Sequence, residues 1–281
     1  MGKILTTSFS IMYDNIQETV NFLRKKEIGH IDYGIILGTG LGSLANIIEN
    51  QKIIPYAIIP HFPTSTVEGH SGNMIYGDIE GKKILALQGR FHYYEGWTME
   101  QVTFPVRVLK FLGLDKLIIS NASGGVNPEF SVGDIMVITD HINLMPEHPL
   151  RGKNDQRFGQ RFVDMHEAYD KAMIDHFRHI ASINNIDIKS GVYLALQGPT
   201  FETPAEYKMV KTLGGDAVGM STVPEVIVAR HMGMRCLGIS VITDLGIEGK
   251  VESVSHEEVQ KAALKAEKPV CFLVKSFINT F

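Results

Sequence analysis

Apolar and polar positions follow two registers along this chain, one suited to helices and the other to buried strands. Ile11, Ile16, Val20 and Leu23 stand at helical spacing among polar residues over 9–27, which predicts a surface helix docked by one face. Short continuous apolar runs predict buried strands at 33–37, 83–88, 117–120, 134–140 and 192–196. The most regular stretch is 198–244, where one strand–turn–helix unit follows another. After the strand at 192–196, Gly198-Pro199 opens a turn carrying Phe201 and Glu202. Thr203 can then cap a helix that has Pro204 at its first position, Glu206 to complete a capping box and Gly214-Gly215 to end it. The pattern repeats with a strand at 216–220, a turn at Ser221-Thr222, and a helix opened by Pro224 and Glu225 and closed by Gly233. A third strand, 235–243, delivers Asp244 at its carboxyl end. Strands alternating with helices in this way imply parallel pairing. Further helices are expected at 43–49, 167–184 and 255–281, the last opened by the capping box Ser255 to Glu258, and 141–165 reads as a long polar excursion.

Composition narrows this α/β reading to one domain over 1–281, because 281 residues with 44% hydrophobic content can bury a single large core. Net charge is −4 with both signs scattered, so neither a nucleic-acid footprint nor an anionic-membrane partner is expected. Small-molecule ligands fit better. The only two cysteines, Cys236 and Cys271, form neither a disulfide framework nor a metal-ligand cluster, and together with the lack of a signal-length apolar segment they suggest a cytoplasmic protein.

The chemistry gathers at strand ends, where open α/β sheets bind ligands. Glu202, Ser221 and Asp244 all fall there, which makes them one pocket. Gly38-Thr39-Gly40-Leu41-Gly42-Ser43 follows the first strand as an anion-loop candidate. It lacks the last glycine and the acidic partner of a dinucleotide fingerprint and the lysine of a P-loop. Gly89 to Trp97 sets Arg90 and His92 two apart among glycines and aromatics, either as an oxyanion clamp or as an Arg90–Glu95 surface pair. Asn121 to Pro128 is another glycine-rich strand end. His70 sits on a polar loop, and the histidines between 141 and 179 read as surface or structural residues.

In combination, GTGLG, STVEGHSG, GRFHYYEG, NASGG, GPTFETPAE, GMSTVPEVIVARH and SHEEV resemble, in order and over roughly 35–258, the trimeric low-molecular-mass purine nucleoside phosphorylases. The resemblance implies a single domain with a central mixed, mostly parallel twisted sheet flanked by helices. It implies a phosphate site of Thr39, His70, Arg90, His92, Ala122 through its backbone, and Ser221. Tyr94, Met220, His256 and a neighbouring subunit's Phe162 would hold the ribose, and Phe201, Glu202, Val218, Gly219, Thr243 and Asp244 would surround the purine. Glu202, Asp244 and His92 would carry the chemistry. One position departs from the pattern: Asp244 stands where the family usually has Asn, which opens an alternative preference for 6-aminopurine nucleosides.

The reaction implied is reversible phosphorolysis of purine nucleosides or deoxynucleosides, inosine and guanosine foremost, with inorganic phosphate as co-substrate. No metal or organic cofactor is expected. Phosphate arrives already anionic, so no side-chain nucleophile is needed, in keeping with the lack of a nucleophile elbow. A nucleoside hydrolase or a purine-binding sensor would have no use for the Arg90, His92 and glycine-loop cluster, and a Rossmann dehydrogenase fails at the fingerprint.

Overall fold

The structure is a computed structural model that describes residues 2–39, 41–63, 71–247, 249, 251 and 253–281. In chain order it contains α1 (Gly2–Lys25), β1 (Tyr33–Leu37), β2 (Glu49–Pro55), β3 (Asn73–Ile79), β4 (Lys82–Gln88), α2 (Met99–Phe111), β5 (Lys116–Gly125) and β6 (Ile135–Asn143). It continues with α3 (Lys171–Ile183), β7 (Lys189–Ala195), α4 (Pro204–Thr212), β8 (Ala217–Gly219), α5 (Val223–His231), β9 (Arg235–Leu245) and α6 (His256–Thr280). The capping boxes read from Thr203 and Ser255 are both formed, each hydroxyl accepting a backbone N–H at 3.2 Å. The helix expected at 43–49 is a short 3-10 segment, Gly42–Ile47. Six residues ending in β-branched isoleucine are too few to sustain an α-helix, and the chain beyond them is drawn into β2.

All described strands join one mixed sheet in which β1, buried along its whole length, pairs in parallel with β4 and β5. On one side β4, β3 and β2 continue antiparallel. On the other side the pairing returns on itself: β5 joins β8, β8 joins β7, β7 joins β6, β6 joins β9, and β9 closes back onto β5. This half is a small closed barrel. The parallel pairing expected of the strands now labelled β7, β8 and β9 is found between β7 and β8 and between β9 and β5, while β9 runs antiparallel to β6. Three-residue β8 offers little ladder, whereas β5 matches the long apolar β9 from Lys116↔Arg235 to Gly125↔Leu245. The longer parallel ladder prevails.

Helices cover the sheet, with α2 packed on α1 and α5, and α6 packed on α3 and β9. One large hydrophobic cluster fills the interior, and a smaller one made of Val126, Leu194, Tyr207, Val210 and Val218 lies under the end of the barrel. Strand ends run further than their apolar stretches suggest. β5 continues through Asn121 to Gly125, and β9 contains Asp244, so both place polar side chains on rigid ladder positions.

Candidate active site

A cavity of about 320 Å³ opens over the carboxyl ends of β1, β4, β5, β8 and β9 and is closed on one side by the start of α6. Thr39, Arg90, His92, Ala122 and Ser221 line one end of it. Gly38 explains how Thr39 arrives there: a Cβ at Gly38 would lie 2.5 Å from the Ser120 carbonyl oxygen, so only glycine lets the end of β1 press against β5. The Gly38 N–H donates to Ser120 Oγ at 3.2 Å, and that hydroxyl donates to the Ile36 carbonyl at 3.1 Å. His70 and Gly40 lie outside the described residues.

Arg90 is 3% exposed and fixed on three sides. Its Nη1 donates to Ser221 Oγ at 2.8 Å and Thr222 Oγ1 at 3.2 Å, and Nη2 donates to the Ser120 carbonyl at 2.5 Å. Nε lies 3.6 Å from Glu225 Oε1, so the guanidinium's ionic partner is the buried Glu225 at the start of α5 rather than a surface Glu95. Burial pushes the Glu225 carboxyl up, and the charge of Arg90 pulls it back. Glu95 serves His92 instead. Its Oε1 accepts the His92 backbone N–H at 2.8 Å and lies 3.0 Å from Nδ1. A carboxylate only accepts, so Nδ1 carries the ring proton and Nε2 is left as an acceptor. Burial lowers the His92 pKa, and the ring stacks on Tyr94 with centroids 4.7 Å apart. His92 is therefore a neutral, oriented imidazole.

The turn that presents Ser221 is strained. Thr222 has φ 67° and ψ −54°, and the Val223 N–H reaches the Ser221 carbonyl at 2.7 Å, a three-residue turn that costs a β-branched residue roughly 1–3 kcal/mol. Hydrogen bonds hold it in place. Thr222 Oγ1 accepts from Arg90 and, at 2.8 Å, from Asn121 Nδ2, while Asn121 Oδ1 accepts from Ser240, whose hydroxyl also meets Ser123 at 2.6 Å. Asn121 and Ser123 were read from sequence only as part of a glycine-rich strand end and Glu225 only as a helix start, with no role of their own.

Phe201, Glu202, Val218, Gly219, Thr243 and Asp244 line the other end of the cavity. Burial raises the Glu202 carboxyl to about 7, helped by the charges of Asp244 and Glu206 and opposed by hydrogen bonding from its own backbone and Tyr207. Burial also raises Asp244, against the hydrogen bonds it accepts from the Tyr207 hydroxyl at 3.0 Å (Oδ2) and the Thr243 hydroxyl at 3.0 Å (Oδ1). A Cβ on Gly124 would lie 2.7 Å from Asp244 Oδ2, so the glycine of β5 makes room for this carboxyl. Tyr94, with its hydroxyl raised to about 12 by burial, Met220 and His256 also line the cavity. Pro199 and Val259 also line the cavity and had no sequence signal beyond their neighbours. Phe162 is absent from it and is 86% exposed on this chain. The histidines of 141–179 stay outside the cavity, with His141 against the Tyr169 hydroxyl at 3.2 Å and His176 against Thr280 at 2.8 Å.

This arrangement offers fixed hydrogen-bond donors around a buried cation at one end and two reluctant carboxylates at the other. Comparison with known proteins places the chain in a family. A profile described as "Phosphorylase superfamily" matches residues 32–279. The chain is 51% identical over 270 residues to purine nucleoside phosphorylase 1 of Bacillus subtilis (strain 168), covering 96% of this chain and 100% of the relative. It is 45% identical over 278 residues to the purine nucleoside phosphorylase of Bos taurus, covering 94% and 95%. Two solved structures from Schistosoma mansoni superpose over nearly the whole chain. Isoform 2 of purine nucleoside phosphorylase with cytosine and ribose-1-phosphate gives a TM-score of 0.91 at 40% identity and covers 96% of this chain and 97% of that one. A purine nucleoside phosphorylase with adenosine gives 0.90 at 36% identity, covering 95% and 97%. With this agreement in sequence and architecture over nearly its full length, the chain belongs to the phosphorylase superfamily and, within it, to the purine nucleoside phosphorylases.

Proposed function

We propose that the chain catalyses the reversible phosphorolysis of purine nucleosides and deoxynucleosides, inosine and guanosine foremost, giving free base and pentose 1-phosphate. One observation carries this reading: a single cavity holds a buried, hydroxyl-flanked Arg90 at one end and the paired carboxyls Glu202 and Asp244 at the other. Phosphate would sit among Thr39, Arg90, His92, the Ala122 backbone and Ser221, with His70 as a further expected contact. The neutral His92 accepts through Nε2, which suits a phosphate oxygen that still bears a proton. Tyr94, Met220 and His256 would hold the ribose between phosphate and base.

An oxygen of phosphate attacks the anomeric carbon while the bond from that carbon to the purine nitrogen breaks. Positive charge on the sugar develops beside the bound anion, and negative charge develops on the departing base. Glu202 and Asp244 face that base edge. As a carboxylate, Glu202 accepts the N1–H of a 6-oxopurine. Asp244 in its protonated form donates toward the oxygen and nitrogen on which the charge collects. These steps call on no metal or organic cofactor. Phe162, fully presented to solvent on this chain, would close the ribose pocket of a neighbouring copy in a homotrimer. Free cysteines, Cys236 buried and Cys271 half-buried, suit a cytoplasmic setting, and no helix among the described residues is long and apolar enough to cross a membrane.

The test is base release from inosine with and without inorganic phosphate. Release that depends on phosphate and yields ribose 1-phosphate is the expected result. Equal turnover in phosphate-free buffer would make the chain a hydrolase.

A further inference from the structure

Tyr207 lies outside the cavity lining, yet its hydroxyl reaches the purine end of the site through Asp244. It projects from the first turns of α4, 2% exposed, within the small apolar cluster beneath the barrel. Two glycines make room for it. A Cβ on Gly246 would lie 2.1 Å from the Tyr207 ring, and one on Gly124 would lie 3.4 Å from the ring and 2.7 Å from Asp244 Oδ2. Three elements, α4, β5 and β9, are thus shaped around one contact between a hydroxyl and a carboxyl.

A phenol has one proton to give, and burial, together with the charges of Asp244 and Glu202, holds it on Tyr207 far above the working pH range. With Thr243 donating to Oδ1, both oxygens of Asp244 receive protein donors, which favours its ionised form against the burial that disfavours it. An ionised Asp244 meets the oxygen of a 6-oxopurine acceptor to acceptor, whereas a 6-amino group donates to it. We propose that Tyr207 is a specificity-determining positioning residue: by donating to Asp244 Oδ2 it holds that carboxyl as an acceptor and so narrows the preference for 6-oxopurine over 6-aminopurine nucleosides. This inference rests on the phosphorylase reading of the same cavity.

Asp244 faces Glu202 from the loop before α4, Tyr207 from α4 and Thr243 on its own strand, the Thr243 hydroxyl also lying 3.3 Å from the Ser123 carbonyl of β5, and His256 lines the cavity from α6. Glu206 acts on Glu202 through its charge. Glu202 titrates near 7, moves the base preference by itself and also takes a hydrogen bond from Tyr207, so the informative quantity is the variant-to-native quotient of the inosine over adenosine kcat/KM ratio read well above pH 7, where Glu202 is ionised with or without Tyr207.

For Tyr207→Phe the quotient should be near one at acidic pH, where Asp244 is protonated in both proteins. It should rise to about tenfold at alkaline pH, as expected for loss of one hydrogen bond to a charged group. On an Asp244→Asn background the same substitution should leave the ratio unchanged at that alkaline pH, where Glu202 is ionised in both proteins. Tyr207→difluorotyrosine, which keeps the packing and makes the hydroxyl a stronger donor, should move the ratio in the opposite direction and serves if the phenylalanine variant does not fold. A quotient of one at every pH, an equal fall for both nucleosides, or an effect that persists without Asp244 would overturn the inference. Absence of phosphate-dependent base release from either nucleoside in the native protein would instead overturn the functional reading beneath it.

Discussion

Arg90 and Glu202 mark the two electrostatic extremes of the cavity, and both respond to single substitutions. Arg90→Ala should raise the KM for phosphate and lower kcat, because the phosphate loses a charge-assisted donor worth roughly 1.5–3 kcal/mol. Glu225 then lies buried without its cation, so the variant should also be less stable. Arg90→Ala combined with Glu225→Gln should recover stability and leave phosphate binding impaired, which steady-state kinetics and thermal melts separate. Glu202 carries a raised pKa of about 7, so the unfolded chain ionises before the folded one as pH climbs from the ordinary glutamate range. The fold loses stability across that window and bears the full cost above about 7. Glu202→Gln should therefore melt like the native protein near pH 4 and higher than it near pH 8, by up to about 3 kcal/mol, while losing turnover. Equal melting temperatures at pH 8 would place the Glu202 carboxyl in water. Of these side chains, Arg90, His92, Glu202 and Asp244 were legible in sequence because glycine and proline mark the strand ends that carry them. Glu225, Asn121 and Tyr207 were not. They act through another residue, and partnership across sequence separations such as Asn121 to Thr222 or Tyr207 to Asp244 leaves no local pattern.

The strand–turn–helix units around 198–244 were readable down to their caps, since Thr203, Pro204 and Glu206 each satisfy a definite backbone requirement at the start of α4. Pairing was less readable. Each strand can bury its apolar face against several others, and β9 left β8 for β5 because ladder length, which only the assembled sheet defines, decided the matter. The carboxyl end of β5 shows how an element serves the site: Asn121 orders the Thr222 turn, Ala122 lines the cavity, and Gly124 admits Asp244. Gly124→Ala should accordingly fold, since Gly124 needs no positive φ, yet push the Asp244 carboxyl out of place. The expected signature is a raised KM for nucleoside with the KM for phosphate unchanged. An equal rise in both would mean that β5 had shifted as a whole.

Across the whole molecule, the open half of the sheet and the closed barrel share β5, and the cavity sits where they meet, built from the strand ends of both. Phe162 presents a large apolar ring to solvent and does not line this chain's own cavity, which suits the trimer proposed above. Light scattering should give three times the chain mass, and Phe162→Ala should raise the nucleoside KM while leaving that mass unchanged; a fully active monomer would refute the arrangement. Closure of the barrel carries one more consequence, for aggregation. Because β9 returns to β5, β2 is the strand in the described sheet that has a partner on one side only, so a foreign chain could extend the ladder there and nowhere else among the described strands. That flank is guarded. A register shift between Glu49 and Lys52 breaks its regularity, Lys52 is tied at 2.5 Å to Glu27 beyond the end of α1, and Pro55 removes a backbone donor. Strand addition between copies is therefore disfavoured, because the one flank open to it among the described strands is already spoiled for it.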